Sequence, residues 1–204
     1  MKFKGYALIL SGFCIVIFLF QFAILSFTGF FLLDESSWIQ PWRFITAIFL
    51  HGSFSHLLYN LFALALFGSI LEGIIGGRRF LIVFFITGIL ANLIAVNFYP
   101  SSLGASGAIF GVIGAITIVR PTLIVWAYGL PMPMFIAGAL WAIGDIIGIF
   151  VPSNVGNIAH LAGLAAGLII GAFYRDWNKS DKSENSLVLD ERNVRKWEEE
   201  NFRI

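Results

Sequence analysis

The chain has 204 residues, of which 58% are hydrophobic and only 12% are charged, and its mean hydropathy is +0.87. Soluble domains are about 45–50% apolar and about 25% charged, so this composition excludes an ordinary water-soluble protein and predicts a polytopic membrane protein. The formal net charge of +1 gives no support for nucleic-acid binding, and a single cysteine, Cys14, excludes an internal disulfide and a cysteine metal cluster.

Charged residues are concentrated at the C-terminus. Residues 175–204 contain 7 basic and 8 acidic side chains, which leaves 6 basic and 4 acidic side chains for the first 174 residues. We therefore divide the chain into a membrane core, residues 1–174, and a charged cytoplasmic tail, residues 175–204. The tail is expected to be solvated and mobile, with a short amphipathic helix over Leu187–Phe202 as the alternative.

The first apolar stretch, Tyr6–Leu33, carries no charge and is long enough to be the first membrane span. It is too long for the hydrophobic region of a signal peptide, which has about 7–15 residues. The next stretch, Asp34–Ser55, contains Trp38 and Trp42, which suit a membrane interface. Its apolar part, 44–50, is too short to cross, so we expect a partly embedded loop packed against protein.

Two further spans are predicted at His56–Ile75 and Phe80–Phe98, separated by a turn at 76–79. The fourth apolar stretch, Ser106–Val119, is only about 21 Å long at the helical rise and cannot cross a hydrocarbon core of about 30 Å alone. If Arg120 anchors its far end at one surface, Ser106 lies inside the thickness of the membrane, at the bottom of a water-accessible pit.

The last third of the chain predicts a surface loop, two spans and a short connection. Thr122–Pro133 contains two prolines and is interpreted as a surface loop. Met134–Val151 is the fifth span, 152–156 is a turn, and Asn157–Tyr174 is the sixth span.

The distribution of basic residues predicts the orientation. With six spans, seven basic residues fall on the side of the termini and only one falls opposite, so the termini are expected in the cytoplasm. Those seven are Lys2, Lys4, Arg78, Arg79, Arg120, Arg175 and Lys179, and the one opposite is Arg43. Four polar residues of three spans, Ser106, His56, Asn60 and His160, then lie near the outer face. Without a large extra domain or targeting segment, a prokaryotic plasma membrane is expected, with an organelle left open.

These four residues indicate acyl transfer, and the reaction they predict is peptide-bond hydrolysis. A serine becomes a nucleophile when a base lies within hydrogen-bond reach, and His160 lies at the matching depth. Glycines four residues apart follow both Ser106 and His160 and would let the two helices approach closely. His56 and Asn60 are donors suited to an oxyanion. The alternative is that Ser106 only caps a membrane helix.

Several motifs together carry a family resemblance. Residues 51–60, HGSFSHLLYN, resemble the HxxxxHxxxN motif of rhomboid intramembrane serine proteases. Residues 104–107, GASG, resemble the family's GxSG, and residues 159–163, AHLAG, resemble its AHxxG. Trp42-Arg43 looks like the family's WR pair, and Gly68 and Glu72 stand where the family carries Gly and Glu. The resemblance covers about residues 6–174.

The resemblance implies an all-α, six-transmembrane-helix rhomboid-like bundle with a partly embedded first loop and a short central fourth helix. Ser106 would be the nucleophile and His160 the general base. His56, Asn60 and the backbone N–H of Ser106 would form the oxyanion hole. No cofactor or metal is implied, and the expected partners are single-span membrane-protein substrates in a lipid bilayer.

In one respect the chain departs from the family pattern. Many members carry tyrosine four residues after the serine, where this chain has Phe110. The phenyl ring can still stack on His160, but it offers no hydroxyl.

The remaining polar residues are interpreted as structural. The family works with a Ser–His dyad. Asp145 is an ionisable residue inside the membrane and therefore a candidate functional residue, but it is expected to be structural because it lies about mid-span and deeper than His160. His51 in the embedded loop, Arg43 and Glu72 are expected to hold loops and helix ends. A metal site is not expected, since the chain has no HExxH motif.

Two other functions remain open. The first is a catalytically silent rhomboid relative that binds or escorts membrane proteins. The second is a small transporter, for which the midplane offers little beyond Asp145 and Asn92.

Overall fold

The computed structural model describes residues 5–151 and 155–187. In these ranges, four helices are long and apolar enough to cross a membrane, and two shorter apolar helices accompany them. The six helices follow the order of the six predicted spans. Length and composition support crossing for four of them, so the six-span topology stays a prediction.

The helical elements in chain order are α1 (Tyr6–Ala23), α2 (Phe27–Phe31), α3 (Arg43–Thr46), α4 (Phe54–Ala63), α5 (Ser69–Ile75), α6 (Gly77–Ala95), α7 (Ser106–Val119), α8 (Met134–Gly148) and α9 (Asn157–Leu187). A π-helical segment, Leu64–Gly68, joins α4 to α5 without a break. Strands β1 (Leu33–Asp34) and β2 (Ser101–Ser102) pair antiparallel, as do β3 (Ile124–Ala127) and β4 (Leu130–Pro133).

The first span is shorter than predicted, because α1 ends at Ala23 instead of continuing to residue 33. No proline or glycine stands between Gln21 and Thr28. Instead, the Gln21 amide donates to the His51 carbonyl oxygen (3.2 Å) and to Thr28 Oγ1 (3.0 Å), and it accepts the His51 N–H (3.0 Å). These tertiary contacts fasten the end of α1 to the first loop, and a local sequence pattern does not reveal them.

The first loop contains no spanning helix in the described chain, as predicted. It consists of short helical turns, and Ala47, Ile48 and Leu50 are each only 1% exposed. The Asn92 side chain on α6 donates to the Phe44 carbonyl oxygen at 2.9 Å. The irregular backbone is therefore buried against protein, as a membrane-embedded loop requires. Its depth in a bilayer stays a prediction.

Helix α7 begins at Ser106 and ends at Val119, as predicted, and most of its side chains are buried. It packs on α9 through glycines. A methyl group on Gly163 would overlap the carbonyl oxygen of Gly107, and one on Gly167 would overlap that of Gly111. The main chains of α7 and α9 are therefore in direct contact. We call this contact, formed by Gly107, Gly111, Gly163 and Gly167, the glycine seam.

The surface loop predicted at Thr122–Pro133 is instead largely the β3–β4 hairpin. Tyr128 and Gly129 have φ of 54° and 77°, which is the geometry of a tight two-residue hairpin turn. Pro131 and Pro133 are tolerated because an isolated pair of strands has outer edges that need no partner.

Other boundaries also differ from the predictions. Arg78 and Arg79 lie in the first turn of α6, α8 ends at Gly148 instead of Val151, and α9 continues past Tyr174 to Leu187. The α9 extension has neither glycine nor proline, so leaving the apolar region does not end the helix. Most of the predicted 152–156 turn, and nearly all of the predicted tail helix, lie outside the described residues.

Candidate active site

Ser106 is the first residue of α7, and it is partly buried. The N-cap position belongs to Ala105, and no side chain caps the helix. The interpretation of Ser106 as a helix cap is therefore wrong. A serine in the first helical turn lies beside backbone N–H groups that have no partner within the helix.

The ring of His160, the fourth residue of α9, stacks on Phe110. The two ring centroids are 4.3 Å apart and the planes differ by 7°. Phe110 lies one helical turn after Ser106, on the same face of α7. The imidazole is therefore held beside the first turn of α7, and Phe110 provides the stack that the family resemblance implies. Among the described residues, no hydrogen bond joins Ser106 to His160, and such bonds commonly tighten only when substrate is bound.

Asp145 contacts the edge of the His160 ring. Its Oδ1 lies 3.0 Å from Nδ1 of His160, and both side chains are buried. Asp145 lies in the last turn of α8, which ends three residues later. Its carboxylate is therefore at the depth of the His160 ring, which corrects the expectation of a deeper, mid-span position. The expectation was wrong because it placed the end of α8 three residues too late.

His56 faces Ser106 across Gly104. Gly104 has φ of 128°, and a methyl group built there would lie 2.9 Å from Nε2 of His56 and 3.9 Å from Oγ of Ser106. Any larger residue would fill the space that His56 and Ser106 share. The Gly52 N–H points to Nδ1 of His56 at 3.4 Å, which favours the tautomer with a proton on Nε2. His56 can therefore donate toward Ser106.

Asn60 is buried on the same face of α4, one turn after His56. Its Nδ2 donates to the His56 carbonyl oxygen at 2.8 Å, and its Oδ1 has no partner among the described groups. One N–H of the amide is therefore occupied by the helix and the second is available.

His51 lies behind His56, with ring centroids 5.2 Å apart in an edge-to-face contact. It is 1% exposed, and its Nδ1 lies 3.2 Å from the Phe49 carbonyl oxygen. Burial, together with the neighbouring His56, lowers the pKa of His51 to about 4. His51 is therefore a neutral ring that supports His56, which agrees with the structural role expected for it.

The first loop holds the segment that leads into Ser106. Strand β1 pairs with β2, and the Gly104 N–H donates to the Ala47 carbonyl oxygen at 2.9 Å. Arg43 closes this loop through an ion pair with Asp34 (2.9 Å) and a hydrogen bond to the Leu32 carbonyl oxygen (2.9 Å). Arg43 therefore acts as a structural tie, as expected.

Glu72 is a second structural tie, also as expected. It is buried on α5 and accepts the Ala7 N–H at 3.1 Å. This bond fastens the start of α1 to the second span.

The predicted residues thus come from three helices to one end of the bundle. His160 and Ser106 flank the glycine seam, and His56 meets Ser106 at Gly104. The contact between Asp145 and His160 was missed. The signal for this contact in the sequence is an acidic residue near the end of one apolar helix, followed by a histidine near the start of the next apolar helix.

Fold and site together define an integral membrane protein in which serine, histidine and carboxylate side chains meet near one end of an apolar helical bundle. The model of the Rhomboid domain family matches residues 38–177. This match covers more than half of the chain, and the protein belongs to the rhomboid family.

Curated relatives agree with this family. The chain is 34% identical over 145 residues to the rhomboid protease GluP of Bacillus subtilis, and the matched region covers 69% of this chain and 27% of GluP. It is 30% identical over 176 residues to the rhomboid protease GlpG of Haemophilus influenzae, covering 80% of this chain and 88% of GlpG. It is 30% identical over 152 residues to RHOMBOID-like protein 7 of Arabidopsis thaliana, covering 74% of this chain and 48% of that protein. The chain thus spans less than two thirds of the length of GluP and of RHOMBOID-like protein 7.

Proposed function

We propose that this protein is an intramembrane serine endopeptidase that hydrolyses a peptide bond in or next to the transmembrane helix of a membrane-protein substrate. The observation that carries the proposal is the stacking of His160 on Phe110, one turn from Ser106. This stacking holds the proposed base close to Ser106, and the Ser106 side chain makes no capping hydrogen bond to its own helix. The relatives named as rhomboid proteases support the same activity.

The chemistry follows from these positions. Oγ of Ser106 attacks the scissile carbonyl carbon while its proton passes to Nε2 of His160. His56, the second N–H of the Asn60 amide and the backbone N–H of Ser106 donate to the oxyanion. The intermediate collapses when the C–N bond breaks, and the leaving amine takes the proton from His160. Water then hydrolyses the acyl-enzyme with His160 again as base.

The substrate class follows from the physics of a membrane helix. Carbonyl groups within a helix are hydrogen-bonded and shielded, so the scissile bond must leave the helix before attack. We expect single-span substrates with small or helix-breaking residues near the cut. With both termini in the cytoplasm of a prokaryotic cell, cleavage would occur near the outer face.

The test is cleavage of a model single-span substrate by the purified protein in liposomes. Ser106→Ala and His160→Ala should each abolish cleavage, because one removes the nucleophile and the other the base. Ser101→Ala, which changes an exposed serine in β2, is the matched control and should cleave at the wild-type rate. Thermal unfolding of each variant checks that it is folded.

A fluorophosphonate probe separates an enzyme from a silent relative. The probe should label Ser106, and His160→Ala should prevent the labelling because the serine is then not activated. A wild-type protein that is neither labelled nor able to cleave substrate would favour the silent relative. Full cleavage by Ser106→Ala would show that the proposed mechanism is wrong.

A further inference from the structure

We propose that Asp145 is a positioning residue for His160: its carboxylate accepts the Nδ1–H and leaves Nε2 as the unprotonated nitrogen that faces Ser106. This inference rests on the proposed protease function. It begins from the distance of 3.0 Å between Oδ1 of Asp145 and Nδ1 of His160. The expected dyad thereby gains a third member from α8.

The contact determines the tautomer. A neutral imidazole carries one proton, and an ionised carboxylate can only accept a hydrogen bond. The proton of His160 therefore resides on Nδ1, and the lone pair is on Nε2. A base with this tautomer is ready to take the proton of a serine, whereas the opposite tautomer presents an N–H to it.

The stacking contact and the carboxylate fix the ring in complementary ways. Phe110 confines the plane of the imidazole, and Asp145 fixes its rotation within that plane. After proton transfer from Ser106 the ring becomes an imidazolium, and the carboxylate stabilises that charge in a buried environment.

Other titratable groups near His160 do not supply this function. His56, on α4, has its Nδ1 at the Gly52 N–H and its Nε2 beside Gly104. Tyr99, which follows α6, uses its hydroxyl to accept the Ile158 N–H at 3.0 Å. In the described ranges, Asp145 is the carboxylate in contact with the ring.

A purely structural role explains the contact less well. Oδ2 of Asp145 is buried and has no hydrogen-bond partner among the described groups. A buried carboxylate with an unused oxygen costs free energy, which a neutral asparagine at the same site would reduce. A charge here is better explained by what it does to His160.

Asp145→Asn is the decisive variant because it preserves size and a hydrogen bond while removing the charge. The amide can rotate and donate to Nδ1, which stabilises the wrong tautomer. We expect kcat to fall by about 10²–10⁴-fold, with KM changed less than about twofold. Asp145→Glu restores a carboxylate and should recover at least about tenfold of the loss. Asn157→Ala, which changes another buried polar residue, at the start of α9 and against Gly148 of α8, is the matched control and should retain kcat.

Nitrogen-15 NMR of histidine-labelled protein gives a second measurement that needs no activity. The wild type should show His160 protonated at Nδ1 at neutral pH, and Asp145→Asn should shift the proton toward Nε2. The His160 signal is assigned by its loss in His160→Gln.

The outcomes separate the two proposals. An Asp145→Asn protein with wild-type kcat, or a wild-type His160 protonated at Nε2, would overturn the role of Asp145 while Ser106-dependent cleavage stands. A wild-type protein that neither cleaves nor reacts with fluorophosphonate would overturn the protease function and, with it, the role of Asp145 in that reaction. The NMR experiment would still show whether Asp145 sets the tautomer.

Discussion

The His160 ring has a different neighbour on each side, and each neighbour constrains a different motion. Phe110 stacks on its face, while Asp145 contacts its edge. The stack is what the family resemblance implies, because many members carry an aromatic ring four residues after the serine, and this chain has Phe110 there. The Asp145 contact could not be predicted, since it joins two helices across a connection whose length the apolar pattern underestimates.

Replacing Phe110 tests the stack. Phe110→Leu should lower kcat by about 2- to 10-fold, because an aromatic contact of this kind contributes about 0.5–1.5 kcal/mol. Phe110→Tyr keeps the ring and should remain within about twofold of the wild type. Substrate cleavage in liposomes measures both rates.

Phe173→Leu is the control for this experiment, since Phe173 is an exposed ring on α9, 76% accessible and far along the helix from His160. It should have no effect on kcat. Wild-type activity in Phe110→Leu would show that the stack does not orient the base.

Among the elements, α7 and α9 determine how close the serine and the histidine lie. The ends of α7 could be predicted because Gly104 precedes it and Arg120-Pro121 follows it. The glycine spacing also predicted close packing with α9. The end of α1 could not be predicted, because it depends on the tertiary contacts of Gln21. The β3–β4 hairpin could not be predicted either, because it contains two prolines, which usually argue against a strand.

Gly167→Ala tests the glycine seam. The added methyl group would overlap the carbonyl oxygen of Gly111, a main-chain atom that cannot move aside cheaply. We expect a loss of about 1–3 kcal/mol in stability, measured as a lower unfolding temperature in detergent. Activity should fall too, because α9 carries His160.

Gly12→Ala is the matched control, since a methyl group on Gly12 in the middle of α1 meets nothing within 4 Å. It should not lower the unfolding temperature. Equal effects of the two substitutions would mean that the main chains of α7 and α9 lie farther apart than described.

For the molecule as a whole, the predicted topology determines which side of the membrane is expected to supply water to Ser106. Helix α7 has 14 residues, too few to cross alone, yet its two ends are expected to face opposite sides. The sequence predicts this orientation through its basic residues.

Single introduced cysteines test this topology in intact bacterial cells. A membrane-impermeant maleimide should label Ser101→Cys from outside, whereas Thr122→Cys should react only after the cells are opened. Both positions are exposed, and the native Cys14 is buried. Labelling of Thr122→Cys in intact cells would reverse or abolish the proposed orientation.

Along the glycine seam, the main chain of α7 contacts the main chain of α9 directly, with no side chain between them. The spacing of positions 106 and 160 is therefore set by peptide geometry, which responds little to heat, to membrane thickness or to replacement of the outward-facing residues. Substitutions on the outward-facing surface can thus change the exterior of this bundle while Ser106 and His160 keep the same separation.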